Sequence, residues 1–267
     1  MRGKPVPFKW SNLLSYFRPA YPTCQICKRG RKPDEQVPCC VECAAKMSLI
    51  TKVNCVYCGR PSYCPDCIKA RGAHQPVPSM TAHRSAAEYD SWLKHCIALY
   101  KYRGQERMQD LLGNLMVHAY HLLEDHLRYH QKESNQPTTF DVITFVPISG
   151  PRAQERGFNQ AEQLAVQLGQ QTGLPVVPLL FREKHAQKQS QQDKAGRRKA
   201  LLQVYAFHQE EWDKLIEATP DFLRPERKIN IIIVDDVYTT GSTMEACAEV
   251  LVGHVQAEVY GLTLGRA

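Results

Sequence analysis

Residues Ile231-Ile232-Ile233-Val234-Asp235-Asp236-Val237-Tyr238-Thr239-Thr240-Gly241-Ser242-Thr243 decide how the rest of the chain is read. The unbroken apolar run from Ile229 to Val234 is dominated by β-branched residues and marks a strand buried on both faces. It stops abruptly at two carboxylates. A loop of small, hydroxyl-bearing residues follows, and Met244, Cys247, Ala248 and Leu251 then recur at helical spacing.

Each part of this stretch has a chemical use. A rigid strand holds the loop at the carboxyl edge of a sheet, where open α/β folds bind ligands. The backbone N–H groups of Thr239, Thr240, Gly241, Ser242 and Thr243 can converge on one phosphate at a helix N-terminus, with the hydroxyls as further donors. Gly241 permits the tight turn. Asp235 and Asp236 can accept hydrogen bonds from two adjacent ribose hydroxyls. A plain helix cap, or an aspartate pair holding Mg²⁺ for phosphotransfer, are the competing readings. Capping alone leaves unexplained why two acids end an apolar strand ahead of four hydroxyl residues.

Outward from the loop, strand and helix signals alternate. Val142–Val146 and Val176–Leu180 read as strands, Phe158, Ala161, Leu164, Ala165 and Leu168 as a helix, and Val259–Leu264 as a closing strand. The pattern predicts a parallel sheet with flanking helices in an α/β domain over 85–267. Upstream, Leu111, Leu112, Leu115, Met116, Ala119, Leu122 and Leu123 mark one long helix. Its histidines, including the pair His118 and His121, read as solvated or core residues, because no cysteine or acid completes a ligand set. Residues 71–84, with their prolines and glycine, read as a linker, and 1–20 as a short lead-in.

Nine of the 11 cysteines fall between Cys24 and Cys67. The pairs Cys24–Cys27, Cys40–Cys43, Cys55–Cys58 and Cys64–Cys67 are all C-x-x-C, with Cys39 spare beside Cys40. Two such turns complete one tetrahedral Zn²⁺ site, so eight cysteines imply two zincs in a module over 21–70. Sequential and interleaved pairing both remain open. So few apolar residues cannot fold this segment unaided, and zinc supplies stability; the nearby Lys28, Arg29, Arg31 and Lys32 also permit contact with nucleic acid. Cys96 and Cys247 read as buried thiols.

The 34 basic and 27 acidic residues leave a net charge of +7, which favours polyanionic partners. Residues 182–199 carry seven Lys or Arg against two acids, with four glutamines between them, and read either as a solvated loop or as a mobile lid closing on pyrophosphate or a nucleic-acid backbone. No run of about 18 apolar residues is present, so no membrane span is expected. The N-terminus lacks an apolar stretch of signal-peptide length, which places the expected location in the cytoplasm.

The 231–243 stretch resembles the phosphoribosyl pyrophosphate motif of type I phosphoribosyltransferases. The cysteine module, Lys101-Tyr102-Arg103-Gly104, Val146-Pro147, Arg152, and the run Glu155-Arg156-Gly157-Phe158-Asn159-Gln160-Ala161 narrow the resemblance to the ComF/GntX family. Ala200 departs from it, standing where the family often has asparagine. The resemblance implies a type I phosphoribosyltransferase fold behind a double zinc ribbon. It implies Asp235 and Asp236 holding the ribose, Arg152 and Arg156 facing the pyrophosphate, and Mg²⁺ accompanying phosphoribosyl pyrophosphate. It further implies a role in natural transformation or DNA utilisation without fixing a reaction; if the chain is an enzyme, the transfer is of a pentosyl group. The rivals are a non-catalytic module binding single-stranded DNA and nucleotide, or a scaffold for other DNA-uptake proteins.

Overall fold

The structure is a computed structural model that describes residues 23–30, 39–70, 78–102, 107–130, 139–150, 157–183, 204–223 and 227–267. Its elements in chain order are α1 (Val41–Ala44), α2 (Pro65–Ala70), β1 (Met80–Glu88), α3 (Ser91–Tyr102), α4 (Arg107–His130), β2 (Val142–Phe145), α5 (Gln160–Thr172), β3 (Leu180–Arg182), β4 (Tyr205–Phe207), α6 (Gln209–Ala218), a 3₁₀ turn (Pro220–Leu223), β5 (Ile229–Tyr238), α7 (Ser242–His254) and β6 (Ala257–Arg266). The chain divides into two compact units, Met1–Lys46 and Met47–Ala267.

In the larger unit, β1, β6, β5 and β2 form a sheet in that order, every pair parallel. Ile231, Ile232, Ile233 and Val234 have no exposed surface, as two-sided burial of a central strand requires. On one face Ile229, Ile231 and Ile233 pack with Met244, Cys247, Ala248 and Leu251 of α7. Helix α4 packs on β1 and β6, and α5 on β2 and β5. Asn159 caps α5 through Ala161 N at 3.1 Å, and left-handed Gly173 ends it.

The α/β expectation holds, and the structure corrects it in detail. The stretch 80–84, read as the end of a linker, opens β1, a buried strand paired along its length with β6. The run 176–180 makes one parallel bridge, Val176 to Ile143, before β3 begins at Leu180. Pro175 and Pro178 lack N–H donors and deny it a longer ladder. Strands β3 and β4 pair as an antiparallel hairpin at the two ends of the basic segment, of which 184–199 lie outside the described residues. Ala200 and the lead-in 1–20 lie outside them as well. Among the described residues no helix is long and apolar enough to cross a membrane.

Candidate functional site

Because the four strands run parallel, their carboxyl ends share one edge. There β5 delivers Asp235 and Asp236. The Asp235 carboxylate accepts from the Asp236 N–H at 2.8 Å, which closes it over the start of the loop. Burial, and then the adjacent Asp236 charge, push the Asp235 carboxyl up to about 7. Asp236 is ion-paired with Lys101, both side chains four-fifths buried.

The loop turns at Gly241, whose φ of +78° admits glycine with little strain and sets the start of α7. A Cβ there would collide with the Tyr238 ring. Thr239, Thr240 and Ser242 are exposed, and the Thr240 and Ser242 hydroxyls lie 2.9 Å apart. The α7 helix is fixed from its first turn by the Glu245 carboxylate, which accepts from Ser79 N and Met80 N at the entry to β1.

Two further segments reach this edge. At the end of α3, Tyr100 Oη donates to Gln163 at 2.6 Å and its ring lies 5.6 Å from that of Phe158, so Lys101 is carried beside Asp236. Asn159 Nδ2 donates to the Val146 carbonyl, and Val146 N donates to the Val234 carbonyl at 3.0 Å. The quoted Lys101-Tyr102 and Phe158-Asn159-Gln160 segments thus meet the aspartate strand. Arg152 and Arg156 lie outside the described residues.

The cysteines form two groups, Cys24/Cys27/Cys40/Cys43 and Cys55/Cys58/Cys64/Cys67, each with its four sulfurs within 4.8 Å of one another. Pairing is therefore sequential. No other metal-ligand group occurs among the described residues: His118 instead contacts the Ile50 carbonyl at 2.9 Å, and His121 contacts Glu124. Both groups share one construction. The first C-x-x-C folds back with Cys24 N donating to Arg29 O and, in the second group, Cys55 N to Arg60 O. A left-handed residue follows each, Lys28 and Gly59. The second pair starts a helix, α1 or α2.

The sulfurs fit a bound zinc. Tetrahedral Zn–S bonds of about 2.3 Å place sulfurs roughly 3.8 Å apart. Cys27 and Cys40 stand at 3.7 Å, and Cys58 and Cys64 at 3.5 Å. Burial opposes ionisation of Cys24, yet N–H groups of Cys27, Cys40 and Ile26 outweigh it and hold the thiol down at about 6. Burial and neighbouring sulfurs push Cys43 and Cys67 up instead. Thiolates this close repel one another, and a divalent cation held between them lets all four ionise together.

The second group lies against the sheet of its own unit. His83, fully buried in β1, contacts the Cys58 carbonyl at 3.2 Å and Thr263 at 3.1 Å, and burial pushes its pKa down to about 3, so it is neutral. Arg84 donates to the Val56 carbonyl at 3.0 Å, and Arg266 Nη2 approaches Cys58 Sγ at 3.9 Å. Two buried guanidiniums beside one sulfur group match the net charge of about −2 that four thiolates leave on a divalent metal. Lys101, Tyr238 and Arg266 are the residues that sequence reasoning assigned no role. Lys101 sat inside a quoted motif; Arg266, next to the C-terminus, carried no signal.

No family model matches the chain. It is 29% identical over 224 residues to Competence protein ComFC of Bacillus subtilis (strain 168), an alignment covering 82% of this chain and 79% of that protein. It is 25% identical over 240 residues to Competence protein F of Haemophilus influenzae (strain ATCC 51907 / DSM 11121 / KW20 / Rd), covering 89% of each. The chain is thus similar to curated competence proteins, and its two four-cysteine groups fit a double zinc ribbon.

Proposed function

We propose that the chain binds phosphoribosyl pyrophosphate, or a related sugar phosphate, at the 235–243 loop, and that it serves in competence, the uptake and use of DNA. The observation that carries this reading is the end of β5. A strand whose run Ile231–Val234 has no exposed surface presents two adjacent carboxylates, one of raised pKa and one held by Lys101, directly before a glycine-hinged helix start. A buried carboxyl of raised pKa at a strand's carboxyl end, with a specific charged neighbour, is a ligand-site candidate. The names of the two relatives support the competence role.

In this reading Asp235 and Asp236 accept from the two ribose hydroxyls, and the amides and hydroxyls of Thr239, Thr240, Gly241, Ser242 and Thr243 take the 5-phosphate. Arg152 and Arg156 neutralise the pyrophosphate, and Lys101 exchanges Asp236 for ligand oxygen. Mg²⁺, when bound with the substrate, supplies charge neutralisation at the leaving group. As a transferase the chain breaks the bond from C1 to the pyrophosphate oxygen while a nucleophile bonds to C1, the charge on C1 being shared with the ring oxygen. The zincs hold the cysteine groups together.

A second reading rests on charge. The 182–199 segment carries a surplus of five positive charges, seven basic minus two acidic, which suits a single-stranded DNA backbone. There the sugar-phosphate site binds without turnover. One screen separates the two: pyrophosphate release from phosphoribosyl pyrophosphate, with free bases and single-stranded DNA as acceptors. Release selects the transferase, and binding without release selects the module. If the basic segment meets DNA, affinity falls with salt by about 0.7 log unit per neutralised phosphate for each log unit of salt. A flat response removes that role.

A further inference from the structure

We propose that Arg266, seated on Tyr238, links the second four-cysteine centre to the phosphate loop, so that metal held by Cys55, Cys58, Cys64 and Cys67 and a sugar phosphate at the loop strengthen each other's binding. The link lies within the larger unit and rests on the sugar-phosphate reading above for one of its two ends.

Arg266 is 8% exposed, and its side chain touches both ends at once. Its Nη2 faces Cys58 Sγ at 3.9 Å. Its Nη1 donates to the Thr239 carbonyl at 3.0 Å and to the Tyr238 carbonyl at 3.4 Å. The guanidinium lies 4.7 Å over the Tyr238 ring. That ring packs on the Cys55, Cys58, Cys64 and Cys67 cluster and stacks 4.0 Å from His83. Its hydroxyl abuts Gly241, the hinge of the loop. One planar cation and one aromatic ring therefore span the distance from a sulfur ligand to the first residue and the glycine of the phosphate loop.

The physical cause of coupling is the charge of the loaded centre. Four thiolates around a divalent ion leave a net charge of about −2, and a buried guanidinium offsets it. With metal in place, Arg266 is fixed at the sulfur end and its other fork positions the Thr239 carbonyl, presenting the loop amides in their binding arrangement. A phosphate ordering the same loop fixes Arg266 from the opposite end. Thermodynamic linkage makes the two effects equal. Outer partners of this kind commonly tune metal affinity 10- to 100-fold, roughly. Arg266 is a positioning residue here, since it reaches the ligand site only through the loop backbone.

The test follows zinc release from the full chain into a colorimetric chelator, with and without phosphoribosyl pyrophosphate. The phase belonging to the second centre is identified by its loss in Cys58→Ser, and the Cys24 group serves as internal reference. The expected result is that phosphoribosyl pyrophosphate slows the second-centre phase at least about fivefold. Arg266→Gln abolishes this slowing. Arg266→Lys keeps the charge without the fork, retains part of the slowing, and decides the matter if the glutamine variant does not fold. Equal slowing in wild type and variants, or none in wild type although calorimetry shows the ligand bound, overturns the link. If wild type binds no phosphoribosyl pyrophosphate, the proposed function falls and the link is judged on zinc alone. Arg266→Gln must then shed second-centre zinc at least about fivefold faster than wild type, and equal rates overturn it.

Discussion

Asp235 sits where a carboxylate is costly. Buried and next to Asp236, it binds its proton more tightly in the folded chain than in the unfolded one. The sign follows directly: a raised folded-state pKa favours the fold at low pH, and that advantage is lost as pH rises from the ordinary carboxylate range through about 7. Asp235→Asn removes the penalty. The expected outcome is a melting temperature at pH 8 higher than wild type by ~2–4 °C, for a gain on the order of 1 kcal/mol, with the gap closing towards pH 4. A variant less stable than wild type at pH 8 contradicts this. A residue that destabilises the fold suits binding better than architecture. The place of the aspartate pair towards the end of a strand was legible because two acids stop an unbroken apolar run. Lys101 was not legible, because only the folding of α3 onto α5, through Tyr100, Phe158 and Gln163, brings it to Asp236.

At the scale of elements, β5 and β6 were readable from apolar runs buried on both faces, and α7 and α4 from periodic apolar faces. β1 was not. Its sequence holds His83, Arg84 and Ser85 in succession, all buried, and a polar run of this kind reads as surface. Each finds a partner distant in sequence: His83 in Cys58 and Thr263, Arg84 in Val56, Ser85 in Thr263 at 2.7 Å. Gly261 makes room, since a Cβ there would stand 2.8 Å from the His83 ring. The cysteine turn is built to the same closeness. Gly59 has φ +71°, and a Cβ would meet the His83 carbonyl at 2.6 Å. Gly59→Ala is therefore expected to cost about 1–3 kcal/mol. Denaturant titration should show the lowered midpoint, together with faster zinc loss from the second centre. An unchanged midpoint would mean that the turn does not pack on β1 as described.

For the whole molecule, the cysteine spacing announced two metal centres and left their pairing undecided; the sulfur positions make it sequential. The sequence did not disclose that the two centres fall in different compact units, because seating on a sheet depends on backbone contacts such as His83 N to the Tyr57 carbonyl. Metal analysis of the purified chain should give about two zincs per molecule. Cys24→Ser removes one and leaves the melting transition of the larger unit near its wild-type temperature. Cys58→Ser also removes one but lowers that transition, since its group is part of that unit's packing. Equal effects of the two variants on the transition would refute the division.

The account as a whole depends on the grip at the end of β5, and calorimetric titration of the zinc-loaded chain with phosphoribosyl pyrophosphate and Mg²⁺ tests it most directly. The expected result is saturable binding, with a dissociation constant between about 1 µM and 1 mM, abolished by Asp235→Ala combined with Asp236→Ala while the melting transition persists. Undiminished affinity in that double variant, or no heat of binding in the wild type, contradicts it.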